Sequence, residues 1–91
     1  MKYLMTYHAV DEFLPLAMEN GPAHVARLQE FHARGVLLMA GTLDEPMNGD
    51  AIALFTSREA AEEFIAGDPF VLNGVVAESA VRPWNEVLQP D

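Results

Sequence analysis

Runs of apolar residues broken by turn formers divide this chain into four extended and two helical segments. Residues 2–8, Lys-Tyr-Leu-Met-Thr-Tyr-His, carry enough aromatic and β-compatible side chains to read as a strand. The stretch from Val10 to Asn20 is mixed, and Pro15 within it argues against one long helix. Asn20-Gly21-Pro22 is punctuation, and Pro22 suits the first turn of a helix over 22–34 that Gly35 would cap. Residues 36–43 form a continuous apolar strand, followed by the turn-rich loop Asp44–Asp50. Residues 50–56 make the next strand, and Ser57 is placed to cap a helix over 57–67. Asp68-Pro69 ends that helix, because a residue before proline is pushed out of the α region. A short apolar bridge leads to a last strand from Val76 to Trp84.

The order β-α-β-β-α-β predicts an α+β fold of the ferredoxin-like kind, with a four-stranded antiparallel sheet in a single domain over residues 1–91. Two helices can cover only one face of such a sheet. Yet Val36 to Gly41 is apolar at every position, as strands are when both faces are buried. Tyr3, Met5 and Tyr7 also point opposite to Leu4. A second copy of the same sheet, related by a two-fold axis, is the simplest cover, so a homodimer closed as a dimeric α/β barrel is expected.

Two polar residues fall on apolar faces. On a helical wheel for residues 22–34, Phe31, Leu28, Val25 and His32 share one arc, and His24 lies between Phe31 and Leu28. Arg27, Glu30 and Arg34 fall on the opposite, wet side. His24 is therefore expected in the first turn, facing the sheet. In the second helix Ala60, Ala61, Phe64 and Ile65 form the apolar stripe, and one step beyond its end the stripe reaches Asp68. A carboxylate there meets the negative end of the helix dipole and needs a partner. The topology puts the start of the first helix and the end of the second at one end of the sheet. His24 and Asp68 should meet there, and an imidazole oriented by a carboxylate is the smallest general acid–base unit. Taken singly, each has a plainer reading, as a packed core histidine and as a turn-forming Asp-Pro.

Composition narrows the chemistry. Five Lys and Arg stand against fourteen Asp and Glu, a formal charge of −9, which repels nucleic-acid backbones and anionic membranes. About half of the residues (51%) are apolar, which suits a folding chain and not a disordered one. Without cysteine there is neither a disulfide framework nor thiolate chemistry. The N-terminal apolar run reaches His8 and Asp11 too soon for a signal peptide or a membrane span, so a cytoplasmic protein is expected. Three histidines without metal-motif spacing, and no Gly-rich phosphate loop or nucleophilic-serine motif, point to no metal and no cofactor. The five methionines read as core filler.

The same residues carry a family resemblance. Pro22-Ala23-His24-Val25-Ala26-Arg27-Leu28, then Gly35 to Gly41, Asp68-Pro69-Phe70 and Val81-Arg82-Pro83-Trp84 are similar, in order, to the motifs of YCII-like proteins. The resemblance implies a dimeric α/β barrel whose His–Asp pair, here His24 and Asp68, is the active site. Some members of that family are dehydrochlorinases of halogenated hydroquinones. This chain has Gly21 where many members have Arg, and Thr42 where they have Pro, and the loop Asp44–Asp50 is short and expected to border the site. Tyr7, His8 and Phe70 are the candidates for contacting a small-molecule ligand, although Tyr7 also suits the dimer and His8 the surface. His32, at the edge of the apolar arc, reads as packed or half-exposed. Two functions follow: a cofactor-free lyase or isomerase moving a proton at His24 on a small aromatic or oxo-acid metabolite, or a non-catalytic ligand-binding or accessory dimer of the same fold. Nothing in the sequence favours a third, cofactor-independent oxygenation.

Overall fold

The computed structural model describes residues 1–90. Seven elements follow one another: β1 (Lys2–Ala9), α1 (Leu14–Ala33), β2 (Leu37–Thr42), β3 (Ala51–Phe55), α2 (Arg58–Gly67), α3 (Pro69–Leu72) and β4 (Val76–Trp84). The strands form one sheet in the order β2-β3-β1-β4, with every neighbouring pair antiparallel. This is the ferredoxin-like α+β arrangement, and all four strands lie within two residues of their expected limits.

The helices depart from expectation in three places. First, α1 is a single helix of 20 residues that runs through the segment expected to be broken. Pro15 sits in its first turn, where a backbone N–H would have no intrahelical acceptor in any case. Pro22 lies inside the helix instead of at its start. The carbonyl it deprives of a partner is that of Met18, and Pro22 and Met18 are both on the exposed side, so water can serve it. His24 is therefore in the middle of α1, not in its first turn. Second, the bridge after Asp68 contains a helical turn, α3, which Asp68 caps through the Phe70 N–H at 3.1 Å.

Third, Arg27 does not lie on the wet side of α1. Its Nε donates to the Phe64 carbonyl at 3.2 Å and its Nη2 to the Glu63 carbonyl at 2.8 Å. The guanidinium also lies over the rings of Phe31 and Phe64, with centroids 4.8 and 5.6 Å away. The last carbonyls of α2 thus receive a cation, which complements the negative end of that helix. Gly67 leaves room for it, since a Cβ there would fall 2.5 Å from Nη2.

The core lies between the helices and one face of the sheet. Phe31, Phe55 and Phe64 are completely buried and meet edge-on or tilted, with Phe64 centroids 5.2 and 5.6 Å from the other two. Met5 and Tyr7 of β1, Leu37 of β2, Ala53 of β3 and Ala60 and Ala61 of α2 fill the space around them. Ser57 caps α2 by accepting from the Ala60 N–H at 3.1 Å, and Gly35 ends α1 with φ +79°.

The other face of the sheet carries no helix. Met39 of β2 is 66% exposed, Trp84 of β4 45% and Ile52 of β3 37%. Together with Leu4 they line an apolar groove of about 290 Å³. The all-apolar β2 presents Met39 to solvent because nothing in the chain covers this face, and Ile52 of the inner strand β3 is exposed for the same reason.

Candidate active site

Asp68 is the one polar or charged residue fully buried among the described residues. A lone carboxylate in such a place would be costly, and three donors surround it. The Tyr7 hydroxyl donates to Oδ2 at 2.8 Å, the Phe70 N–H donates to Oδ1 at 3.1 Å, and His24 Nδ1 lies 2.7 Å from Oδ1. As a carboxylate, Asp68 can only accept, so Nδ1 of His24 carries the proton of that contact. In the neutral imidazole Nε2 then holds a lone pair, and it has no partner within the chain among the described residues. His24 is thus set in the tautomer that a general base requires.

Each partner arrives from a different element. His24 comes from the middle of α1, Asp68 from the junction of α2 and α3, and Tyr7 from the helix-facing side of β1. The imidazole plane is fixed as well. Phe70 stacks on it with centroids 3.8 Å apart and planes 3° from parallel, and Phe64 meets its edge at 6.2 Å. Burial, then the charge and hydrogen bond of Asp68, push the Tyr7 hydroxyl far above the usual tyrosine range. Tyr7 therefore stays protonated and acts as a fixed donor.

A cavity of about 120 Å³ opens beside this cluster, between α1 and strands β1 to β3. His24 and Tyr7 line it with Leu28, Thr42, Ala51 and Ile52. The loop Asp44–Asp50, expected to border the site, contributes no lining residue; Thr42 and Ala51, on the strands either side of it, line the cavity instead.

The structure thus brings together His24, Asp68 and Tyr7, with Phe70 behind the imidazole. Phe70 is a support for the ring and does not line the cavity. His8, also a candidate for ligand contact, is not brought there. Successive strand residues point to opposite faces, so Tyr7 enters the core while His8 stays exposed on the helix-free side. There His8 Nδ1 lies 2.9 Å from Asp50 Oδ1. That hydrogen bond and the carboxylate charge raise the His8 pKa, and the same hydrogen bond lowers that of Asp50. His32 Nδ1 pairs with the Leu37 carbonyl at 2.8 Å, away from the site. Among the described residues no three His, Asp or Glu side chains converge as metal ligands would. The sequence pattern did not reveal that Tyr7 donates to Asp68. The signal for it is a tyrosine on the helix-facing side of β1 and an inward-facing carboxylate at the end of α2.

Fold and site together define a ferredoxin-like α+β protein with a buried His–Asp–Tyr cluster at a small apolar cavity. The family model for the YCII-related domain matches residues 1–85, and the chain belongs to that family. It is 38% identical over 77 residues to protein YciI of Escherichia coli O6:H1, covering 74% of this chain and 79% of that protein. An uncharacterized protein of Haemophilus influenzae is 35% identical over 98 residues, covering 97% and 100% of the two chains. Among solved structures, 5-chloro-2-hydroxyhydroquinone dehydrochlorinase from Burkholderia phenoliruptrix, in complex with 2,5-dihydroxybenzoquinone, superposes with a TM-score of 0.74. It is 23% identical, with 93% of this chain and 94% of that chain covered, and it shares the fold. No helix among the described residues is long and apolar enough to cross a membrane.

Proposed function

We propose that this protein is a cofactor-free enzyme acting on a small molecule by proton transfer of the lyase or isomerase type. His24 Nε2 moves the proton and Asp68 holds the tautomer. One observation carries the reading: a fully buried carboxylate fixes Nδ1 at 2.7 Å while the opposite nitrogen is left without a partner in a residue that lines a cavity. After Nε2 accepts a proton, the Asp68 charge stabilises the imidazolium, as in other His–carboxylate units. Hydrogen chloride elimination fits the same unit. The base takes a proton from an O–H or C–H, the freed electron pair forms the new π bond, and chloride leaves with its bonding pair. The similarity in fold to a dehydrochlorinase supports this class.

The working form in this reading is a cytoplasmic homodimer. The exposed Met39, Ile52 and Trp84 on the helix-free face support a second copy as its cover. A second reading is a non-catalytic ligand-binding or accessory dimer, favoured by the fact that Asp68 also caps α3 and ties down Tyr7.

Solvent exchange separates the two. Substituted hydroquinones and small ketones are incubated with protein in deuterium oxide and followed by NMR. Catalysis predicts deuterium incorporation or chloride release that His24→Ala abolishes. Ligands that bind native protein without exchange or turnover would establish the binding module instead.

A further inference from the structure

The few cations of this chain are nearly all engaged away from the cavity. Lys2 Nζ holds Glu86 at 2.8 and 2.9 Å. Arg27 is bound to the last carbonyls of α2. Arg34 pairs with Glu63 at 2.9 Å, and Arg58 reaches the Val81 carbonyl at 3.3 Å and the Tyr3 ring. Arg82 pairs with Leu4 in the β1–β4 register and lies with Trp84 along the helix-free face. None of the five lines the cavity beside His24.

The remaining lining is apolar or neutral, apart from His24 itself. Tyr7 already gives its proton to Asp68. Thr42 offers a hydroxyl that has no hydrogen-bond partner among the described residues. A ligand carboxylate or phosphate would place a second negative charge near buried Asp68, with no cation to replace its lost hydration. The imidazolium would not compensate, because Asp68 already neutralises it. The formal charge of −9 adds a repulsive field over the approach.

Size gives a second limit. A cavity of roughly 150 Å³ holds one benzene, and this one measures about 120 Å³ with an open mouth. A single six-membered ring fills it, with any further substituent at the entrance.

We propose that this cavity selects an uncharged ligand of about one ring, presenting an O–H or acidic C–H to His24 Nε2 and a polar group to Thr42, and excludes carboxylates and phosphates. The inference rests on His24 as the group that meets the ligand. It concerns binding, and so it stands or falls separately from turnover.

An isosteric pair tests it: 4-hydroxybenzamide and 4-hydroxybenzoate, titrated at neutral pH against ¹⁵N-labelled native protein. The amide is expected to shift the His24 ring and the Thr42 and Ala51 amides, with a Kd at least about tenfold lower than the benzoate, near 1.4 kcal/mol. Thr42→Arg, at an exposed strand end, should tighten the benzoate by a similar factor. Equal or tighter binding of the benzoate to native protein overturns the inference, as does the absence of binding by both at millimolar concentration. Deuterium exchange in the proposed reaction is read in separate samples. Its failure beside a clear charge preference would remove the catalytic reading and leave the selectivity in place.

Discussion

Tyr7 and Asp68 are 61 residues apart in the chain and share a buried hydrogen bond of 2.8 Å that closes one side of the carboxylate. Removing the hydroxyl leaves Oδ2 without a partner while the ring still packs. Tyr7→Phe is expected to lower stability by about 1–3 kcal/mol, with the fold retained. Urea unfolding of the two proteins measures it, and an unchanged midpoint would show that the bond contributes nothing.

The same tyrosine predicts an alkaline limit. Its folded-state pKa lies above the unfolded value near 10, so the stability it contributes is complete below that pH. The contribution declines as pH rises further toward the folded value. Thermal unfolding between pH 8 and pH 11 should show a steeper loss in native protein than in Tyr7→Phe. Parallel curves would contradict it.

Asp68→Asn keeps the shape but changes what the side chain can donate. The Phe70 N–H keeps the amide oxygen at the Oδ1 position, so the NH2 turns to the Tyr7 hydroxyl and His24 keeps its Nδ1 proton but loses the charge that stabilises the imidazolium. Any proton transfer at His24 should slow by two to four orders of magnitude. Deuterium exchange rates of native protein and variant measure it, and equal rates would refute the assignment.

On the helix-free face, His8 and Asp50 give a pH window of the opposite kind. The raised His8 pKa contributes stability present below about 6.5 and lost as pH rises through the folded value. The lowered Asp50 pKa contributes stability present above about 3.9 and lost as pH falls through the folded value. The pair therefore helps most between these limits. The Tm difference between native protein and Asp50→Asn should be largest near pH 5 and fade as pH rises through the folded His8 value. Both groups are exposed, so the effect is small and salt-sensitive.

The uncovered groove predicts assembly. Native protein at micromolar concentration should scatter light as a dimer, and Met39→Glu should shift it toward monomer, because a charge within an apolar contact is left unpaired. A native monomer would refute the face-to-face assembly.

How much of this was legible in the chain can be judged element by element. The strands and α2 were readable because their signals are local: Ser57 caps, Asp68-Pro69 stops, and apolar runs are bounded by turn formers. His24 and Asp68 stood out as polar residues on otherwise apolar arcs, which is a property of helical period alone. Helix α1 runs on where its prolines suggest a break, because a proline disrupts a helix only where it removes a needed hydrogen bond. Pro15 fell in the first turn, and Pro22 on a solvated side. Arg27 falls on the wet side of the wheel, which shows direction but not reach. Its long side chain crosses to α2, where Gly67 leaves space. Local patterning therefore sets the element order, the apolar faces and the two polar residues that break them. Long-range packing settles that Tyr7 completes the cluster, that Phe70 stacks behind the imidazole and that His8 stands on the other face. Those contacts join residues from distant elements, and no local period encodes which of them will meet.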